Sequence, residues 1–329
     1  MVAGKNKSAA YAVVVVGSYN QDMVFQANRL PEAGETRMGR FSTGPGGKGF
    51  NQAVAAVRLG ARTLFIAARG RDLLGERAAE TAAAEGIDAR WQLVAGEATG
   101  SAAVWLDGAG QNRIIVAPGA NALLAPAHVL AQREAISRAR VLLTQNEVHP
   151  VASLRALHLA GELGLLRIHN PAPQQDGAGY RALLEACEVL TPNQSEFAGL
   201  LLAHGAECDA VELATLSDED LHTLCRLLPV PTVVLTLGAR GAFVSHAEHA
   251  RLGDEASCYR AMGEAATLVD STGAGDCFNG ALAASLAGCP DRPLAEHVHQ
   301  ANRAAACAVE AHGASTSMPT REQIGKRFG

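Results

Sequence analysis

Val141-Leu142-Leu143-Thr144, Leu165-Leu166-Arg167-Ile168-His169, Val189-Leu190-Thr191 and Thr232-Val233-Val234-Leu235-Thr236-Leu237 are short apolar runs through the middle of the chain. Each is too short for a stable helix, and they read as buried strands. Before and between them lie stretches with helical spacing, at residues 127–135, 151–163, 195–203 and 218–227. Strands alternating with helices predict βαβ units, and so a mostly parallel sheet with right-handed crossovers.

Working outward, residues 12–16 form a β-branched run ending at Gly17, a buried first strand. An alanine-rich helix is predicted over 51–59, stopped by Gly60. A strand follows at 63–67, then a helix over 74–85 closed by Gly86. Residues 91–94, 101–106 and 113–116 are strand-like with no helix between them. Short segments near 23–26 and 35–42 are broken by Pro31 and Gly34, and read as small strands outside the main sheet. Two longer helical stretches, 275–287 and 294–309, close the chain, while 205–219 is poorly patterned and reads as a surface insertion. No repeat or linker interrupts the pattern, so residues 1–329 are expected to form one α/β domain with a small β appendage.

Composition agrees. The 329 residues are 48% hydrophobic but only 4% aromatic, so the core must rest on Ala, Val, Leu and Ile. Such a core suits helices on a parallel sheet. The net charge of −5 comes without a basic stripe, which gives no reason to expect nucleic acid or an anionic membrane as partner. Seven cysteines, an odd number with no Cys-x-x-Cys pair, read as free thiols in a reducing compartment. The polar start, residues 1–10, and the short apolar run behind it predict neither a signal peptide nor a membrane span, hence a cytoplasmic protein. The pairs His246/His249 and His297/His299 lack a third ligand and are read as non-metal histidines.

Two glycine-rich stretches carry candidate chemistry. Gly44-Pro45-Gly46-Gly47-Lys48-Gly49-Phe50-Asn51 opens a helix. It is not a Walker A loop, because Ser42 stands where the first glycine is required and Gly49 follows the lysine. Asp270-Ser271-Thr272-Gly273-Ala274-Gly275-Asp276 also leads into a helix. A helix start with small residues is an anion site, and a carboxylate there can accept a proton from an attacking hydroxyl. The same aspartates also suit plain helix capping. A dinucleotide fingerprint is missing at the first strand, where Gly17-Ser18-Tyr19-Asn20 stands.

Taken together, the two stretches resemble the paired signatures of the ribokinase-like (PfkB) carbohydrate kinase family. Supporting stretches include Gly17-Ser18-Tyr19-Asn20-Gln21-Asp22, Pro118-Gly119-Ala120-Asn121, Asn170-Pro171-Ala172-Pro173, Thr191-Pro192-Asn193-Gln194-Ser195-Glu196 and Thr236-Leu237-Gly238-Ala239-Arg240-Gly241. The resemblance implies a three-layer α/β sandwich with a small β-sheet lid built from about 19–42 and 90–116, and pairing of lids into a homodimer. It implies transfer of the ATP γ-phosphate to a small sugar, ribose at its 5-hydroxyl being favoured. Deoxyribose, a nucleoside, a hexose, or a non-catalytic sugar-binding regulator are the alternatives. Residue by residue, it implies Asp276 as base, with Gly273, Ala274 and Gly275 as the anion hole. Asn20, Asp22, Gly46, Gly47, Lys48, Asn51 and Glu147 would contact the sugar. Asn193, Thr236, Gly238, Arg240, Gly241, Gly275 and Asn302 would contact ATP. Glu196 would organise Mg2+ through water. Asp270, Thr272, Ala308, Ala311, Gly313 and Ser317 would hold K+. The final loop, Gly313-Ala314-Ser315-Thr316-Ser317, departs from the family in lacking a proline before its last serine. Cys277, beside the proposed base, reads as packing.

Overall fold

The computed structural model describes residues 11–109, 111–175 and 180–329; the N-terminal stretch 1–10 lies outside them. Thirteen strands are arranged in two sheets among these residues. The larger has the order β13-β12-β11-β10-β9-β8-β1-β4-β5. Its members are β1 (Val13–Val16), β4 (Thr63–Gly70), β5 (Asp88–Val94), β8 (Val141–Thr144), β9 (Leu166–His169), β10 (Val189–Leu190), β11 (Thr232–Thr236), β12 (Ala242–His246) and β13 (Cys258–Ala261). Eight of these strands run in one direction, and β12 alone runs opposite to them. The smaller sheet has the order β3-β2-β6-β7, from β2 (Asn20–Gln26), β3 (Arg40–Gly46), β6 (Ser101–Leu106) and β7 (Asn112–Ala117).

Strand periodicity explains the layers. Val13 and Val15 of β1 face one apolar core while Val14 and Val16 face another, as period-2 alternation requires. The first core packs α1 (Lys48–Arg58), α2 (Leu73–Ala84), α9 (Ala274–Gly288), α10 (Leu294–Ala308) and α11 (Arg321–Phe328). The second packs the short α3 (Pro126–Leu130) and α4 (Arg133–Ile136), then α5 (Pro150–Glu162), α6 (Tyr180–Ala186), α7 (Gln194–Ala203) and α8 (Asp218–Cys225). The result is helix, sheet, helix. Low aromatic content has a purpose in the first layer: a Cβ on Gly280 of α9 would lie 2.6 Å from Ala55 Cβ and collide with the Gln52 carbonyl of α1. The two helices therefore touch almost backbone to backbone.

Two expectations need correction. Residues 90–94 belong to the large sheet, not to an appendage: β5 pairs in parallel with β4 across the α2 crossover. The stretch 127–135 is two short helices, separated at Ala131 and Gln132. The poorly patterned 205–219 lies largely at the surface, as an insertion, and is anchored there. Its Leu213 is fully buried, and the Ala210, Ala214 and Leu216 carbonyls accept hydrogen bonds from Gln194, Arg240 and Arg260. The β12–β13 hairpin and helices α6 and α11 extend the pattern read from sequence.

Candidate active site

Strand order reverses at β1: the chain builds outward to β4 and β5 on one side and to β8 through β11 on the other. A crevice opens beyond the carboxyl ends of strands at such a switch point. Into it run Gly17, Ser18 and Tyr19 after β1, and Gln145, Asn146 and Glu147 after β8. The glycine-rich helix start closes on the same place. Gly47, the N-cap of α1, has φ +86, and a Cβ on Gly49 would stand 2.5 Å from the Ser18 amide nitrogen. Glu147 ties these pieces together by accepting from Ser18 Oγ at 2.5 Å and from the Lys48 amide at 2.8 Å.

Asp276 sits in the first turn of α9, after Gly273 in the left-handed region at φ +77. Its carboxylate is the meeting point of the two glycine-rich stretches. Asn51 Nδ2 donates to Asp276 Oδ2 at 2.9 Å, and Gln52 Nε2 donates to Oδ1 at 3.0 Å, across more than two hundred residues of sequence. The Gly280 contact between α1 and α9 is what allows this reach. A Cβ on Gly275 would meet nothing within 4 Å, so the N-terminal end of α9 opens freely into a cavity of about 210 Å³. Lys48, Asn193, Glu196 and Thr236 share that cavity with Gly273, Ala274, Gly275 and Asp276. Helix-start amides beside an ammonium suit a phosphate.

A second cavity, of about 370 Å³, is bordered by Asn20, Asn121, Asn146, Glu147 and His149, with Val116, Val148 and three prolines. Asn20 Oδ1 accepts from Asn121 Nδ2 at 2.9 Å. Gly46 cannot carry a side chain, because its Cβ would fall on the Asp22 carboxylate. Burial pushes Asp22 up to about 7, and the neighbouring Glu147 and Asp276 charges push the same way. Lys48 is held above its ordinary range, by Asp276 first and then by Glu147 and Glu196, against the effect of burial. Burial likewise raises Glu196, although the Asn193 amide opposes it. Asn51 Oδ1 is buried without a partner, an acceptor available to a hydroxyl.

The remaining candidates divide. Asn193 and Glu196 form a reciprocal capping box at α7, so the plain structural role is real, yet both line the phosphate-sized cavity. Gly238 and Gly241 have φ +59 and +89 in the turn after β11. Arg240 donates to the Ala214 carbonyl at 2.8 Å and is not among the cavity's lining residues. Asn302 spends its amide hydrogens on the carbonyls of Ala261 and Met262, tying α10 to β13. Asp270 accepts from the Thr272 and Gly313 amides at 2.9 and 3.0 Å; burial raises this acid, but those donors outweigh it and hold it below the ordinary range. The Gly313 bond brings the start of the α9 approach against the segment that runs from Ala308, the last residue of α10, through Ala311 to Ser317. Burial pushes the Cys277 thiol well up, consistent with packing.

Sequence reading assigned no role to Gln52, Gln145, Asn170, Thr191 or Asn279, which form a hydrogen-bonded chain beneath Asp276. The available signal was position: Gln145, Asn170 and Thr191 each directly follow a parallel strand.

Residues 11–321 match the pfkB family carbohydrate kinase model. The chain belongs to the pfkB family of carbohydrate kinases. It is 36% identical over 318 residues to the mouse ribokinase, covering 96% of this chain and 94% of that one. The ribokinase structure from Thermotoga maritima superposes with a TM-score of 0.82 at 30% identity, over 96% of this chain and 98% of its own. The Arabidopsis thaliana ribokinase structure complexed with ribose and ATP gives 0.81 at 28% identity, again over 96% and 98%. Among the described residues no helix is long and apolar enough to cross a membrane.

Proposed function

We propose that this kinase transfers the γ-phosphate of ATP to the 5-hydroxyl of ribose, with Asp276 as the base. The observation that carries the reading is the junction of Asn51 and Gln52 with Asp276, at the mouth of an open helix N-terminus. Asp276 takes the proton as the hydroxyl oxygen attacks phosphorus in line, and the Gly273, Ala274 and Gly275 turn receives the developing charge.

Asn20, Asp22, Gly46, Gly47, Asn51 and Glu147 hold the sugar. Asp22 accepts hydroxyls, Asn51 Oδ1 takes another, and Asn20 offers its amide donors because Asn121 occupies its oxygen. Lys48 lines the phosphate cavity and so bridges sugar and phosphate. Asn193, Thr236, Gly238 and Gly241 border ATP. Arg240 and Asn302 support that site from their carbonyl contacts.

Glu196, a carboxyl raised by burial beside the phosphate cavity, fits a Mg2+ ion, which would supply charge neutralisation at the phosphates. Asp270, kept ionised, together with Thr272, Ala308, Ala311, Gly313 and Ser317, fits a K+ ion that would steady the loop beside the anion hole.

Strands β2, β3, β6 and β7 act as the lid. Phe25 pairs across strands with Phe41 and Trp105, all exposed, and this row together with Ile115 of β7 on the same face offers the surface for a homodimer. Cytoplasmic residence completes the proposal.

The test is a coupled ADP-release assay across ribose, deoxyribose, fructose and nucleosides, with and without potassium. Ribose should rank among the best substrates by kcat/KM. A nucleoside or hexose far ahead of it would replace the ribose assignment with that substrate.

A further inference from the structure

Beneath Asp276 runs a file of buried side-chain amides that the phosphoryl-transfer scheme above does not use. Gln52 is wholly buried in α1. Its Nε2 carries two hydrogens, and both are committed: one to Asp276 Oδ1 and one to Asn170 Oδ1, each at 3.0 Å. Its Oε1 is left to accept, which it does from Gln145 Nε2 at 2.5 Å. Gln145 is itself wholly buried, and its carboxamide fills the space that a Gly17 side chain would need. On the other side, Asn170 Nδ2 donates to the Thr191 carbonyl, Thr191 Oγ1 to Asn279 Oδ1, and Asn279 Nδ2 to the Gly275 carbonyl. The file thus starts at Asp276, crosses the carboxyl ends of three parallel strands, and returns to the turn preceding Asp276.

The orientation of each amide is constrained by its neighbour. A donor next to a carboxylate must be an N–H, so Gln52 is fixed with its nitrogen toward Asp276, and Gln145 must then present its own nitrogen. A buried amide that flipped would set oxygen against oxygen. We propose that Gln52 is a positioning residue for phosphoryl transfer: supported by Gln145, it locks the Asp276 carboxylate in one orientation and favours its ionised form. This rests on the assignment of Asp276 as base. With Asn51 donating to the other oxygen, the carboxylate has no rotational freedom left, and the proton acceptor is aligned before the sugar arrives.

The titratable groups around Asp276 come from every surrounding element: Lys48 on α1, Asp22 on β2, Glu196 on α7 and the Cys277 thiol on α9, with Glu147 after β8 acting on Lys48 and Asp22. The carboxylates repel a negative charge at that place, Lys48 attracts it, and the buried Cys277 thiol, pushed well up, carries none. Gln52 is a neutral donor on the side of ionisation, so its loss should shift the balance toward the protonated acid.

The experiment compares wild type, Gln52→Met, Gln145→Met and Asp276→Asn in steady-state kinetics from pH 5.5 to 9, alongside thermal unfolding. Gln52→Met keeps length and burial but has no donor. Its acid limb in kcat should move up by about one pH unit, with kcat at pH 7 down about tenfold or more and KM for ATP within about twofold of wild type. Gln145→Met, one bond further out, should shift the limb in the same direction by less, although it empties a comparable buried amide. If Gln52→Met does not fold, the Gln145→Met limb decides alone. A folded variant of either kind with an unmoved pH profile overturns the proposal, as does a loss confined to KM. Asp276→Asn separates the two levels: if it stays active the base assignment fails, and if it is dead while the glutamine variants match wild type, only the positioning role fails.

Discussion

Asp22 is an acid held in the wrong state for stability and the right one for binding sugar. Burial lifts it from 3.8 to about 7, a shift of about 3 units, each equivalent to about 1.4 kcal/mol. The folded protein therefore binds an extra proton between about pH 4 and 7 relative to the unfolded chain. Unfolding free energy falls as pH rises through that window and is level above it. The full penalty above pH 7 is up to about 4 kcal/mol. Asp22→Asn keeps the shape and removes the charge. At pH 8 the variant should melt above wild type, by about 3 °C if half the penalty is recovered. At pH 5, where the unfolded acid is ionised but the folded one is not, the gap should shrink to about a third of its pH 8 value.

Activity should move the other way. If the ionised carboxylate is the form that accepts sugar hydroxyls, wild-type kcat/KM for ribose should fall about tenfold from pH 8 to pH 6. Asp22→Asn should lose about a hundredfold or more in kcat/KM at pH 8, since hydrogen bonds to a charged acceptor contribute about 1.5–3 kcal/mol each. Melting curves by calorimetry or fluorescence across pH, with initial rates beside them, decide the matter. A variant no more stable than wild type at pH 8, or a gap that does not change with pH, would refute the argument that burial strains this acid.

Asp276→Asn should lower kcat by about a thousandfold while ATP still binds, as measured by coupled ADP release and titration calorimetry; more than a few per cent residual rate would remove it as the base. Gly280→Val should force α1 away from α9, costing about 1–3 kcal/mol and loosening Asn51 and Gln52 from Asp276, so Tm and kcat should fall together. Asp270→Ala strips the acceptor from the Thr272 and Gly313 amides, and stimulation by potassium over choline should vanish. If potassium stimulates the variant as it does wild type, the cation is held elsewhere.

How far the sequence reached follows from which interactions are local. The alternation at 141–237 announced the parallel sheet because branched runs and helical spacing are properties of consecutive residues. The same reasoning misplaced 90–94, since a strand's partner is chosen by the crossover that precedes it: the helix at 74–85 was already visible and should have sent the next strand back to the large sheet. Glu196 illustrates a different limit. Its spacing from Asn193 reads equally as a capping box and as a site element, and the structure makes it the first while leaving it beside the phosphate cavity, so local pattern could never have separated them. Arg240 and Asn302 were read toward ATP, and their side chains are engaged by carbonyls at Ala214, Ala261 and Met262 that no spacing rule connects to them. Gln52 is the sharpest case. It stood inside a quoted motif, one residue from Asn51, and drew no role because its partners lie at 145, 170 and 276. Its place becomes intelligible only through Gly280, whose missing side chain lets two helices meet. A glycine in the middle of a helix costs stability and has to be explained by what approaches it. Here what approaches is the backbone that carries Gln52, and the approach brings Gln52 within reach of the carboxylate one turn earlier in α9.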